Sequence, residues 1–234
     1  MNINNFIEEL KKINIDINNQ QLEQLEQYYK LLVEYNEKMN LTGITEKEQV
    51  YLKHFYDSLT MNKIIDLNKV ESLCDVGTGA GFPGLVIKIL FPNIEVTLVD
   101  SLNKRIEFLN VVIEELNLTG ITTLHSRIED FGKNTREKFD VVTARAVAPL
   151  NILLEYCIPL VKVGKYFIPM KANISREILE INNAKKVLKC ELEEKKEFLL
   201  PFEESNRTLL KFKKLEKTNK IYPRNNAQIK KKNL

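Results

Sequence analysis

The stretch that most constrains this chain is residues 72–84, Ser-Leu-Cys-Asp-Val-Gly-Thr-Gly-Ala-Gly-Phe-Pro-Gly. Leu73, Cys74 and Val76 suit a buried strand, and the apolar run 85–91 suits a buried helix that stops before Pro92. Between them, Gly77, Gly79 and Gly81 permit a tight turn whose backbone a ligand can approach. Pro83 fits the first helical turn, where its missing N–H costs nothing. Open N–H groups at such a helix start favour anionic or electron-rich ligand groups.

A bare glycine turn is common in ordinary loops, but two residues narrow this one. Asp75 stands two positions before Gly77, giving D-x-G-x-G-x-G. A second strand, 94–99, ends in Asp100, where an acid meets the ribose hydroxyl pair of an adenosine ligand. The dinucleotide fingerprint wants a glycine at its sixth position, which here is Phe82. A carboxylate at Asp75 would repel a pyrophosphate but could orient a cationic or amino-bearing ligand. S-adenosylmethionine carries both a sulfonium and an ammonium. The turn therefore favours that cofactor over a nicotinamide dinucleotide.

Helices are expected at 2–13 and 19–39, the second with Leu22, Leu25, Tyr29, Leu32 and Met39 as its apolar stripe. Thr45 and Glu48 read as a capping box. His54 and Asp57, three apart, share a face if helical, either as a site pair or as a packing pair. Beyond the glycine turn come a helix at 103–117, a strand at 121–125 and a loop at 126–130 whose Glu129 or Asp130 could face an adenine amino group. A strand at 139–143 follows, then Arg145, a helix at 150–160, a strand at 164–170 ending at Lys171, a helix at 175–188, and strands at 190–199 and 208–214. Alternating strands and helices give a doubly wound α/β sheet with its ligand site at the carboxyl ends of the strands. Arg145 and Lys171 are the candidate catalytic residues at those ends; the alternative for Arg145 is a structural ion pair. Three segments are expected: a helical extension at 1–65, the sheet domain at 66–216 and a basic tail at 217–234.

Charge is unevenly placed. Residues 207–234 carry ten Lys or Arg and one acid, for a net +9, whereas the rest of the chain carries −6. A basic tail on an acidic body suggests a polyanionic partner, the alternative being a solvated terminus. Truncation after Lys220 is expected to leave the folded core intact. Lys104 and Arg105, in the exposed first turn of their helix, are further candidate RNA contacts. Cys74, Cys157 and Cys190 are scattered and form no C-x-x-C, which fits a reducing cytoplasm and gives no metal site. No apolar run approaches a membrane span, and no signal architecture opens the chain.

Missing signatures narrow the chemistry. Exocyclic base amines are usually methylated with an [N/D/S]-P-P-[F/Y/W] turn after the fourth strand, where this chain has Ala144-Arg145-Ala146-Val147. Pyrimidine carbons need a cysteine nucleophile, and Cys157 falls mid-helix. Ribose hydroxyl transfer by a Lys-Asp-Lys-Glu set needs an acid where Arg145 stands. An acceptor with its own lone pair remains, such as guanine N7, which needs placement rather than a base.

These residues together resemble one family, ribosomal RNA small subunit methyltransferase G, also called glucose-inhibited division protein B. The matching stretches are 40–45 (NLTGIT), 54–59 (HFYDSL), 74–84 (CDVGTGAGFPG), 99–105 (VDSLNKR), 142–148 (VTARAVA) and 222–224 (YPR). The resemblance implies the class I, Rossmann-like methyltransferase fold, S-adenosylmethionine as cofactor, and N7 methylation of one guanine in 16S rRNA of the small ribosomal subunit. It implies cofactor contacts at Gly77, Phe82, Asp100, Ser101, Leu102, Ile128, Glu129 and Arg145. Asp75 and Gly79 join that set from the reading of the turn, and Arg224 joins Lys104 and Arg105 as an RNA contact. No membrane and no protein partner are implied. The chain departs from the family's P-R-x-x-G-x-P ending, running Pro223-Arg224-Asn225-Asn226-Ala227-Gln228. The rival readings are a methyltransferase of another RNA, a small molecule or a protein, an RNA-binding module with a vestigial cofactor site, and a nicotinamide oxidoreductase.

Overall fold

The computed structural model describes residues 1–174, 176–203 and 205–234. Seven strands, β1 (Ser72–Val76), β2 (Glu95–Asp100), β3 (Ile121–His125), β4 (Phe139–Arg145), β5 (Val161–Lys171), β6 (Cys190–Leu199) and β7 (Asn206–Lys214), form one sheet in the order 3-2-1-4-5-7-6. The first five are parallel, and β7 and β6 close the edge antiparallel. The strand order turns back between β1 and β4, so the ligand crevice lies beyond their carboxyl ends.

The helices are α1 (Ile3–Lys12), α2 (Asn19–Met39), α3 (Lys47–Val50), α4 (Asp57–Leu59), α5 (Gly84–Leu90), α6 (Asn103–Glu115), α7 (Ile128–Asn134), α8 (Leu150–Cys157), α9 (Asn182–Leu188) and α10 (Asn226–Lys231). They cover both faces of the sheet, and strand alternation sends neighbours to opposite cores. Leu73, Val141, Ile168 and Leu209 join one apolar cluster; Cys74, Val142, Phe167 and Leu210 join the other. The first cluster also takes Phe6 and Leu10 of α1 and Leu25, Tyr28 and Leu32 of α2, packed with Leu85 and Phe108. The N-terminal helices thus form a layer of the same core.

The expected stripe of α2 packs on the core, with Leu25 and Leu32 buried and Leu22, Tyr29 and Met39 half-buried, and it is widened by buried Tyr28 and Leu31. Several local expectations are corrected. Glu46, not Thr45, caps α3, accepting from the N–H groups of Glu48 and Gln49. Its carboxylate reaches two open donors at once, which a threonine hydroxyl cannot. Residues 128–134, expected as loop in part, form α7. The expected helix at 150–160 ends at Cys157, with Pro159 inside a following 3-10 turn. The helix expected from 175 starts at Asn182 after a 3-10 turn at Glu177–Glu180; residue 175 itself lies outside the described residues.

The tail is built into the fold. Arg224 donates from Nε and Nη2 to the two oxygens of Glu155 at 2.8 and 2.6 Å, and Glu155 is 1% exposed. Arg136 of the α7–β4 loop donates to the carbonyls of Thr218 and Tyr222. Asn225 and Gln228 make a capping box for α10, whose Ile229 is buried in the second core. Removing everything after Lys220 would strand a buried carboxylate, so the expectation that the core tolerates that truncation is corrected.

Candidate active site

The glycine turn is shaped by Asp75. Its Oδ2 accepts from Thr78 Oγ1 at 2.7 Å and from Gly84 N at 2.8 Å. A Cβ on Gly84 would come within 2.8 Å of the Asp75 Cβ and 2.5 Å of Leu98 Cδ2, so only glycine lets α5 begin this close to β1. Burial raises the Asp75 pKa to about 6. The expected ligand-orienting role therefore needs amending: one oxygen braces the turn, and Oδ1 is left buried without a protein partner. Gly77 and Gly79 hold φ of +67° and +62°. The Cβ side of Gly79 is open, whereas Val147, from the loop after β4, closes over Gly77.

Asp100 ends β2 beside this turn. Its Oδ2 accepts from Gly79 N at 2.9 Å and its Oδ1 from Leu102 N at 2.9 Å. Ser101 and Leu102 are exposed next to it. Across the crevice, α7 brings up half-buried Ile128 and buried Glu129, while Asp130 points outward to Lys133. Of the two acids considered near the adenine, Glu129 is the inward one. The residues at the β1, β2 and β3 ends fit an adenosine ligand: an open glycine backbone, a carboxylate at the ribose position and an apolar residue above.

The other half of the crevice is organised around Arg145, at the end of β4. Its Nη1 donates to Lys53 O at 3.0 Å and Asp57 Oδ2 at 3.3 Å. Its guanidinium lies over Phe82, 5.2 Å from the ring centroid. Arg207, from β7, grips the same Asp57 carboxylate from Nε at 3.0 Å to both oxygens. His54 stacks on Phe82 and meets Thr42 Oγ1 through Nε2 at 2.8 Å and Arg145 Nη2 through Nδ1 at 3.4 Å. Nδ1 also lies 3.2 Å from Lys53 O, so it faces a donor in Arg145 and an acceptor in that carbonyl. Burial first, then the Arg145 charge, lowers the His54 pKa to about 3. His54 and Asp57 thus belong to the crevice, brought there by a π-helical turn at Tyr51–Tyr56 that runs into α4.

A cleft of about 490 Å³ opens beside this network, at the ends of β4 and β5. Lys53, Arg145, Lys171 and Arg207 line it, against the acids Asp57 and Glu177. Lys171 does not stand free: it pairs with Glu177 at 2.8 Å and donates to Ala148 O at 3.0 Å.

A family model for rRNA small subunit methyltransferase G matches residues 21–210. The chain belongs to this family. Among its relatives, the ribosomal RNA small subunit methyltransferase G of Exiguobacterium sibiricum is 52% identical over 227 residues, covering 96% of this chain and 95% of the relative. The enzyme of that name from Bacillus subtilis is 52% identical over 229 residues, with the same coverage. Solved structures share the fold. A SAM dependent methyltransferase from Aquifex aeolicus aligns with a TM-score of 0.52 at 15% identity, over 70% of this chain and 92% of that one. M. jannaschii TYW2, solved in complex with AdoMet, aligns with a TM-score of 0.54 at 12% identity, over 68% and 77%. The architecture is thus the Rossmann-like α/β fold of these methyltransferases.

In this chain, the expected RNA contacts fare unequally. Lys104 is exposed, with Nζ on Met39 O at 2.9 Å. Arg105 pairs with Asp100 at 3.2 Å and so serves the crevice. Arg224, also expected to contact RNA, is paired with Glu155. Of the ten cations in 207–234, Arg207, Lys211, Lys213, Lys214 and Arg224 are in ion pairs. The exposed lysines are Lys217, Lys220, Lys230, Lys231 and Lys232. Tyr28 and Arg207 went unnoticed in sequence. Tyr28 OH donates to Ala80 O within the glycine turn, from a helix about fifty residues upstream. Arg207 reaches the crevice only because β7 returns beside β5, and Tyr28 only because α2 packs over the turn, so neither residue carries a local signal. Among the described residues, no helix is long and apolar enough to cross a membrane, and no cluster of three or more His, Cys, Asp or Glu could hold a metal.

Proposed function

We propose that the chain methylates N7 of one guanine in 16S rRNA, with S-adenosylmethionine as donor. The observation that carries this reading is the contact of Arg145 with Phe82, which makes one wall common to two half-sites. On one side lie the glycine turn, Asp100 and Glu129, suited to adenosine and methionine. On the other lies the cationic cleft, suited to a nucleotide and its phosphates. A bound donor would be held by the glycine turn, Asp100 and Glu129 and would supply the methyl at the edge that Phe82 and Arg145 share with the cleft.

The acids and bases of the cleft support an acceptor that needs no deprotonation. Asp57 is held by two arginines. Glu177 is held by Lys171 and by Leu150 N at 2.7 Å. Both carboxylates are thus taken up by cations. His54 is a weak base, its pKa near 3. Guanine N7 carries its lone pair already, so orientation supplies the rate, and Arg145 can hydrogen-bond guanine O6 or a phosphate.

Transfer of labelled methyl from S-adenosylmethionine to purified rRNA tests this. Label should enter the small-subunit rRNA and not the large. Equal labelling of both would remove the small-subunit assignment, and label in protein or small molecules alone would remove the rRNA reading.

A further inference from the structure

The turn between β6 and β7 presents an aromatic side chain with no structural duty. Phe202 is 63% exposed. It is the one phenylalanine or tyrosine that stands exposed among the described residues. Its φ is +66°, a left-handed conformation that a bulky aromatic adopts only at a cost and that glycine adopts freely. Folding alone would favour glycine here and would not leave a large apolar ring in water.

Its surroundings say what the ring is for. The turn is closed by Leu200 N on Ser205 O at 3.0 Å. Glu203, next in the chain, pairs with Lys53 at 3.0 Å, and Lys53 lines the cationic cleft. Arg207, five residues on, lines the same cleft. Phe202 therefore stands on a turn that the Glu203–Lys53 pair ties to the wall of a cleft whose charge suits an RNA backbone. Exposed aromatics beside cationic grooves hold single-stranded nucleic acid by base stacking.

We propose that Phe202 is a stacking platform for an unpaired base flanking the target nucleotide. The inference rests on the rRNA reading above. A target base that enters the cleft leaves its neighbour unstacked, and the ring of Phe202 replaces the lost stacking partner. The contact reads no base edge, so it positions the strand without demanding a sequence.

The test compares Phe202→Gly, Phe202→Trp and wild type for binding and methylation of small-subunit rRNA, with melting temperature and S-adenosylmethionine affinity measured in parallel. Phe202→Gly should melt at or above wild type, keep its cofactor affinity, and raise the KM for RNA by about tenfold. Phe202→Trp should restore RNA affinity to within about twofold of wild type, since stacking tolerates any large aromatic. Unchanged KM in the glycine variant, or a tryptophan variant as impaired as the glycine one, overturns the proposal while leaving the rRNA reading intact. Failure of wild type itself to methylate rRNA overturns both.

Discussion

The imidazole of His54 lies flat against the ring of Phe82, with centroids 4.4 Å apart and planes 16° from parallel. One ring belongs to the N-terminal extension and the other to the glycine turn. The pair, with Tyr28 also 5.6 Å from Phe82, makes the extension a wall of the crevice. It also places a titratable group inside the core.

That group gives the fold an acid-sensitive term. His54 has a folded pKa near 3 against an unfolded value of about 6.5. A depressed pKa contributes stability that is complete above 6.5 and is lost as pH falls toward 3. Over that window the unfolded chain holds the extra proton, so the slope reaches at most about 1.4 kcal/mol per pH unit. Asp75, raised to about 6, acts in the opposite sense below that pH. The difference between wild type and His54→Gln isolates the histidine: urea unfolding between pH 6.5 and 4.5 should show a flatter profile for the variant. Parallel profiles would mean that His54 is protonated within the native core.

Arg145→Lys keeps a charge beside Asp57 but loses the planar group over Phe82 and the contact with His54. Methyl transfer should fall about a hundred-fold from misplacement of the acceptor. Because the guanidinium is largely buried in a hydrogen-bonded network, stability should also fall, by about 1–2 kcal/mol. Turnover close to wild type would reduce Arg145 to a structural ion pair.

Asp100→Asn preserves an acceptor for Gly79 N while removing the charge at the ribose position. Calorimetry should show S-adenosylmethionine affinity reduced about ten- to a hundred-fold. Unchanged affinity would mean that Asp100 only braces the glycine turn and Arg105.

The tail separates into anchor and charge. Truncation after Lys220 leaves Glu155 buried and unpaired and should destabilise the protein by about 3–5 kcal/mol. Lys230, Lys231 and Lys232 are exposed, so changing all three to Gln should leave the melting temperature unchanged. If each meets a phosphate, the slope of log RNA affinity against log salt falls by about two to three units. A truncated protein as stable as wild type would contradict the anchor; an unchanged salt slope would contradict the contacts.

What could be read in sequence was what local rules encode. The run from Leu73 to Gly84 dictated strand, turn and helix, and Asp100 followed one strand later, because each depends on its own neighbours. Alternating strands and helices set the doubly wound class, whereas the strand order 3-2-1-4-5-7-6 depends on pairings that no local pattern encodes. The partners of charged residues were not legible. Nothing local distinguishes Arg224, gripped by Glu155 from α8, from Lys230 in solvent. Arg207 reaches Asp57 across 150 residues, and only the antiparallel return of β7 beside β5 sets that distance. Glu46 displaced Thr45 as a cap because a carboxylate satisfies two N–H groups, a choice between adjacent candidates that pattern alone leaves open.

In the proposed reaction, a donor half-site and a cationic acceptor cleft meet along Phe82 and Arg145 and the methyl goes to guanine N7. The most direct measurement incubates small-subunit rRNA with the protein and S-adenosylmethionine, then cleaves the RNA chemically at 7-methylguanine and maps the breaks. The account predicts one new break, at one guanine, absent without cofactor and absent with Arg145→Lys. Methyl incorporated without any such break would place the methyl on another atom and contradict it.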